Sequence, residues 1–237
     1  MAPRGPDEEL LSAISLSKEA AVLEWLERES IACESGNTSN KKALNAALHL
    51  AVQLSNKVLL ELLLEAGADC NDPAERGWTP LHRCCMLQDL TSVEICTIIL
   101  KFGGNSNAKN KLGQTPLTLS RYKKNRKLTA TIENHQRREE SKLRHASSGG
   151  NVELVVKMLH DGVNLNASDK KGWTALHEAS STGKISVVHA LLQHGGNRHA
   201  TDADGNTPLH IAAKAGHCDV MGALLLPLTP GPAVSQS

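Results

Sequence analysis

The stretch Gly77-Trp78-Thr79-Pro80-Leu81-His82 recurs along the chain with small changes. Further copies are Gly113-Gln114-Thr115-Pro116-Leu117-Thr118, Gly172-Trp173-Thr174-Ala175-Leu176-His177 and Gly205-Asn206-Thr207-Pro208-Leu209-His210, and Ala46-Ala47-Leu48-His49 is a reduced copy. The last position of the motif falls at His49, His82, Thr118, Arg144, His177 and His210, in steps of 33, 36, 26, 33 and 33 residues. A nearly fixed period of this length indicates a stacked repeat architecture.

The local chemistry of the motif predicts a helix start. The threonine hydroxyl caps free backbone N–H groups, and proline follows at the first helical position, where no N–H is needed. The glycine two residues before the threonine suits a tight turn. A second glycine, ten residues before the first in each complete copy, is placed to end the preceding helix, at Gly67, Gly103, Gly162 and Gly195. Each repeat therefore predicts two helices and one hairpin of fixed length.

These motifs resemble the ankyrin repeat family, over about seven repeats and roughly residues 7–226. The resemblance implies an all-α fold, a solenoid of stacked helix-turn-helix repeats joined by hairpin loops. It also implies a concave face of hairpin tips and inner helices that binds a protein or peptide partner without catalysis, as an adaptor, scaffold or inhibitor does.

Composition fits this expectation. The 237 residues include 26 basic and 25 acidic side chains, so the net charge gives no reason to expect binding to nucleic acid or membrane. Aromatic residues make up only 2%, and a core of Leu, Val, Ile and Ala suits thin helical layers. We find no secretory signal and no apolar run of about 18 residues, and the six cysteines show no paired spacing. We expect a soluble monomer with reduced thiols, in the cytoplasm, the nucleus or both.

The repeats are predicted to form two stacks with an irregular junction near residue 140. Residues 1–6 are a predicted disordered lead, 7–140 a degenerate capping repeat plus three repeats, 141–226 three repeats, and 227–237 a disordered Pro-rich tail. We expect a polar loop over Ser30–Lys42, and three extra residues in the turn near Leu87–Ser92. Because no Gly or Pro occurs between Ile132 and Leu143, the helix there is predicted to continue into the next repeat.

Two groups of residues are candidates for partner binding. Trp78 and Trp173 precede the capping threonine, on the concave face by the geometry of the family, and are either binding anchors or packing over the neighbouring hairpin. The other candidates vary on the repeated frame. At the hairpins they are Glu75, Arg76, Lys109, Lys111, Lys170, Lys171, Asp202, Asp204 and Asn206, and on the inner helices Arg83, Leu119, His145, Glu178 and Ile211.

Metal and catalytic sites are not expected. The period of His49, His82, His177 and His210 favours a structural role, in which the resemblance implies a hydrogen bond to the adjacent hairpin. Adjacent Cys84 and Cys85 point apart on a helix, which does not suit zinc. The sequence has no phosphate-binding loop and no recognisable nucleophile motif, so we expect no cofactor and no enzymatic activity.

One basic segment leaves alternatives open. Arg121–Lys127, with the basic residues up to Arg144, is either a nuclear signal, a patch for an acidic partner, for nucleic acid or for a nucleotide, or the solvated face of a long helix offset by nearby glutamates. We favour the solvated face and do not expect nucleic acid. A further alternative is a regulatory ankyrin module of a larger enzyme or channel.

Overall fold

The computed structural model describes residues 6–15, 22, 24, 38–87 and 91–226, which are helices and loops with no strand. The chain divides into two compact units, the first reaching His135 and the second beginning at Gln136. The first helix begins at Pro6, one residue before the predicted start of the first stack. The predicted disordered segments 1–6 and 227–237 otherwise lie outside the described residues.

The first unit stacks helices from successive repeats. Its helices are α1 Pro6–Ser15, α2 Thr38–Gln53, α3 Lys57–Glu65, α4 Pro80–Cys84, α5 Ser92–Lys101, α6 Pro116–Tyr122 and the first part of α7 Arg126–Gly149. Helix α2 packs on α1, α3 and α4, and α5 packs on α3 and α4. Helix α2 begins at Thr38, so the prediction of a loop up to Lys42 was wrong over 38–42, and residues 30–37 lie outside the described part. Helix α4 ends at Cys84 and α5 begins at Ser92, and residues 88–90, within the predicted insertion, lie outside the described part.

The second unit repeats the same arrangement. Its first repeat uses the end of α7 followed by α8 Val152–His160, and two complete repeats follow, α9 Ala175–Ser181 with α10 Ile185–Gln193 and α11 Pro208–Ala215 with α12 Cys218–Leu225. Helix α9 packs on α11, and α10 packs on α8 and α12. Inner helices therefore contact inner helices, and outer helices contact outer ones.

Each unit has its own apolar core. Leu48 of α2 and Leu60 and Leu63 of α3 are fully buried in the first core, and Val187, Val188 and Leu191 of α10 are fully buried in the second. Each buried leucine contributes about 1.5–3 kcal/mol. Because a single helix pair leaves one apolar face open, this contribution depends on the neighbouring repeats.

Helix α7 continues for 24 residues where a hairpin is missing, which confirms the irregular junction. Leu128 and Ile132 lie in the first core, whereas Leu143 and Ala146 lie in the second. The ten residues between, 133–142, contain no large apolar side chain. One end of α7 thus contributes apolar side chains to the first core, and the other end contributes them to the second.

The basic segment Arg121–Lys127 is not the face of one helix, contrary to the interpretation that we favoured. It contains the end of α6, a turn with Lys124 at φ 57°, and the start of α7. Part of the expected charge offset is present, because Arg121 Nη2 lies 2.7 Å from Glu133 Oε1. Both side chains are partly exposed, so this pair adds little stability.

Threonine and histidine of the motif form a capping box that also connects successive repeats. The Thr79 backbone N–H donates to His82 Nδ1 over 3.2 Å. Nδ1 is therefore unprotonated, and the Nε2–H donates to the carbonyl of Gln114 in the next hairpin over 3.0 Å. His177 reaches Asn206 O in the same way over 3.2 Å, and His49 reaches Asp72 O over 3.1 Å. These bonds confirm the structural role predicted for the three histidines.

Successive hairpins also contact through their backbones. The Lys111 N–H donates to Arg76 O, and the Ala203 N–H donates to Lys171 O, both over 2.9 Å. Gly172 lies at this second contact with φ +82°, and a Cβ there would be 2.7 Å from Asp202 Cα. Gly205 has nearly the same φ, +81°, with open space around it.

Gly172→Ala should therefore destabilise the protein more than Gly205→Ala. Both substitutions place a Cβ in the left-handed region, at about 1–2 kcal/mol. Only Gly172→Ala also forces two backbones apart, which adds about 1–3 kcal/mol. Urea unfolding of the two variants measures the difference, and equal losses would contradict the hairpin contact.

Acidification should weaken the links between repeats. Burial is the largest cause lowering the pKa of His82 and His177, against hydrogen bonds to carbonyls that raise it. Because the folded pKa lies below the unfolded value of about 6.5, this stability is present above pH 6.5 and is lost as pH falls toward the lowered pKa.

Thermal unfolding between pH 7.5 and 5.0 checks this, with a midpoint that should fall by a few degrees. His177→Gln should flatten the dependence, whereas His199→Gln, at an exposed hairpin position, should leave it unchanged. A midpoint that rises on acidification would show that the histidines are not held neutral.

Candidate partner-binding site

A groove of about 420 Å³ lies on the surface of the first unit. It forms where the end of α2, the hairpin before α4, and α4 with its following turn meet. Four of the residues predicted for partner binding, Glu75, Arg76, Trp78 and Arg83, are among those that line it. The lining residues are Gln53, Glu75, Arg76, Trp78, Arg83, Met86 and Leu87.

Trp78 packs against the first core and also lines the groove, and its role as a binding anchor stays a prediction. Its ring is half-buried, packs against the first core, and lies 6.2 Å from the His82 ring, centroid to centroid. The same side chain lines the groove. Met86, 37% exposed, and half-buried Leu87 extend this apolar surface. An apolar ligand group therefore finds a wall that the core already holds in place.

Arg83 brings a half-buried positive charge to the groove. Its Nε is buried and has no hydrogen-bond partner among the described residues, and the same holds for Nδ1 of nearby His49. Burial first, and then the Arg83 charge, lower the pKa of His49, while its bond to the Asp72 carbonyl opposes them. His49 lacks the usual Nδ1 partners because Ala46 has no hydroxyl and lies inside α2, whereas the threonine of the other copies stands at a helix start. Unsatisfied buried groups cost about 1–3 kcal/mol each.

The hairpin beside the groove differs from its counterparts at the tip. In three hairpins an Asn or Asp side chain accepts backbone N–H groups of the tip, as Asp169 Oδ1 does from Lys171 and Trp173 over 2.8 and 2.9 Å. The equivalent position here is Ala74, which has no acceptor. Arg76 adopts φ 60°, a conformation that costs a residue with a Cβ about 1–2 kcal/mol.

The equivalent surface of the second unit has a different chemistry. Trp173 is half-buried and stacks on His177, with ring centroids 6.2 Å apart. However, the positions of Arg83, Met86 and Leu87 are taken by Glu178, Ser181 and Thr182. Burial, followed by repulsion from Asp169, raises the pKa of Glu178, while Arg144 and other cations oppose the rise. This surface is polar and mixed in charge, with Lys170 and Lys171 beside Glu178, where the groove is apolar and carries Arg83.

The remaining predicted residues are placed as follows. Lys109, Lys111, Lys170, Lys171 and Asp204 are exposed on the hairpins, and His145 is exposed on α7. Asn206 is engaged within its hairpin, since its N–H donates to Asp202 over 2.7 Å and its carbonyl accepts from His177.

Leu119 and Ile211 were wrong as contact candidates, because only 4% and 9% of their surfaces are exposed. They face the apolar side of their helices. Sequence reasoning missed Gln53, Met86 and Leu87, which line the groove. Met86 and Leu87 follow the histidine position by four and five residues, at the end of the short helix α4, which was a usable signal.

Metal ligation, thiol reactivity and membrane insertion each require a recognisable group of residues. Among the described residues no three His, Cys, Asp or Glu side chains come together as metal ligands. Cys85, Cys96 and Cys218 are free thiols, Cys70 and Cys84 donate to the carbonyls of Phe102 and Ser92, and Cys33 lies outside the described part. Burial raises the pKa of the Cys85 thiol far above its ordinary value, so it is a poor nucleophile. No helix in the described ranges has the length and apolar character to cross a bilayer.

Comparison with known proteins places the chain in a family. A family model described as ankyrin repeats matches in three copies, over residues 10–110, 48–132 and 143–232. Protein phosphatase 1 regulatory subunit 27 of Homo sapiens is 36% identical over 74 residues, 31% of this chain and 46% of that protein. RelA-associated inhibitor of Mus musculus is 39% identical over 57 residues, 24% of this chain and 7% of that protein.

A third relative is an ankyrin repeat protein of Fowlpox virus (strain NVSL), 29% identical over 107 residues, 42% of this chain and 31% of that protein. The matched part thus spans less than half the length of each of these relatives. The family model covers most of the chain, and its matches include helix pairs of both units. The chain belongs to the ankyrin repeat family.

Proposed function

We propose that this protein is a non-catalytic adaptor, scaffold or inhibitor that holds a partner protein in the groove around Trp78. Ankyrin repeats are protein-interaction modules, and two of the relatives are named as a regulatory subunit and an inhibitor. The observation that carries the proposal is the meeting of Trp78, Arg83, Glu75 and Arg76 in one groove.

The energetics of protein interfaces support this location. Binding energy concentrates in a few aromatic and arginine side chains set in partly desolvated pockets. Trp78 and Arg83 are such side chains, and both are half-buried before any partner binds. Little rotamer freedom is then lost on binding, which favours affinity.

We also propose that the protein acts in a reducing compartment, the cytoplasm or the nucleus. The free thiols of Cys85 and Cys96 are buried in the first core. Such thiols are typical of compartments in which disulfides do not form. Imaging of the tagged chain in living cells tests this, and a secreted or luminal location would contradict it.

Trp78→Ala should abolish partner capture, while Trp173→Ala should preserve it. Loss of an aromatic anchor costs about 2 kcal/mol or more of binding energy, about thirtyfold in affinity. Quantitative proximity labelling in cells measures capture, and circular dichroism of the purified variants checks that the helices remain.

Met86→Ser serves as a second groove variant, because Met86 is exposed and its loss leaves the core intact. It should reduce capture of the same proteins that Trp78→Ala loses. Capture that survives both groove variants, or falls equally in Trp173→Ala, would place the binding surface elsewhere.

A further inference from the structure

We infer that the groove binds a short peptide segment of its partner in which an apolar side chain lies next to a carboxylate. This inference rests on the proposed function and adds the chemistry of the ligand. It follows from the composition of the groove wall, from the buried Nε of Arg83, which has no acceptor among the described residues, and from the contrast with the second unit.

The apolar half of the ligand is indicated by three side chains on one wall. Trp78, Met86 and Leu87 all line the groove, and each leaves part of its apolar surface in contact with water. Covering that surface with an aliphatic or aromatic side chain releases water and is favourable. A wholly polar peptide would leave this wall solvated.

The carboxylate is indicated by Arg83. Arg83 lines the groove, and its buried Nε has no acceptor among the described residues. A carboxylate accepts from a guanidinium in a bidentate geometry that neutral acceptors cannot match. A carboxylate bound in the groove would therefore pair with the Arg83 charge.

The charges around the groove agree with an acidic ligand. The lining contains two arginines, Arg76 and Arg83, and one acid, Glu75. Glu75 is exposed at the hairpin tip, where its repulsion of a ligand is screened by water and salt. Lys111 of the next hairpin is adjacent, since its N–H bonds to Arg76 O over 2.9 Å.

The size of the groove suits part of a peptide. A volume of about 420 Å³ lies in the lower part of the range of about 300–1,000 Å³ found for small-ligand sites. It accommodates a few adjacent side chains. An extended segment or one helical turn can therefore present both groups to it.

The second unit gives the matched negative case. Glu178 replaces Arg83, and Ser181 and Thr182 replace Met86 and Leu87. Trp173 and Lys171 remain there, but the same ligand would meet a carboxylate in place of the Arg83 guanidinium and hydroxyl side chains in place of Met86 and Leu87. The inferred peptide should therefore prefer the first unit.

Three labelled octapeptides test the inference by fluorescence polarisation with the full chain. The first carries two leucines followed by two aspartates at its centre, the second has lysines in place of the aspartates, and the third has serines. We expect the first to bind most tightly and to weaken with salt. Arg83→Gln should weaken it about tenfold or more, because a charged hydrogen bond is lost. Glu75→Gln should strengthen it about twofold.

Glu178→Gln is the matched control and should leave the affinity unchanged. Equal binding of the three peptides, no binding of the first, or binding unaffected by Arg83→Gln would each overturn the inferred chemistry. The proposed function fails separately, if partner capture in cells survives Trp78→Ala. Capture lost in Trp78→Ala but kept in Arg83→Gln would support the groove and reject the carboxylate.

Discussion

The structure depends on a neutral histidine that holds its own helix start and the next hairpin at once. In His82 and His177, Nδ1 accepts from the threonine backbone and Nε2 donates to a carbonyl of the following repeat. One ring thus fixes both a local cap and a contact about thirty residues away. Since each helix pair has too little core to persist alone, these links and the shared apolar faces make the repeats interdependent.

The links between repeats and their shared apolar faces also explain why the irregular junction does not disrupt the stacking of the repeats. Helix α7 has neither the threonine–proline start nor a hairpin at its centre, but each end keeps an apolar face. Arg144 stands where other repeats have histidine, and its Nη1 lies 3.5 Å from Ala167 O in the next hairpin. An arginine therefore replaces the histidine contact at the start of the second unit. What is lost is a hairpin, while the stacking within each unit remains.

Much of the fold follows from the sequence because its determinants are local. Threonine, proline and the two glycines fix helix starts and hairpins within a few residues, and the apolar spacing fixes the buried faces. The polar segment at Thr38–Lys42 was misassigned because polar residues can extend the solvent side of a helix whose apolar face begins only at Ala43. Tertiary packing decides such ends.

The candidate site was only partly predictable, since it depends on contacts between repeats. Trp78, Arg83, Glu75 and Arg76 were identifiable as residues that vary on a repeated frame. Gln53 joins them only because two repeats stack, whereas Met86 and Leu87 follow the short helix α4 of the same repeat. The lack of an acceptor for Arg83 Nε among the described residues has no signature in sequence at all, since it reflects which acceptors the fold leaves out of reach. The proposed function therefore rests on a surface that the regular pattern supports but does not specify.

Hydrogen exchange of the His177→Ala variant tests the central claim most directly. If the histidine couples repeats, protection should fall in the hairpin around Asp202–Asn206 and in α11, as well as at the start of α9. Loss confined to Thr174 and the first turn of α9 would show that the histidine only caps its own helix, and the proposed coupling between repeats would be wrong.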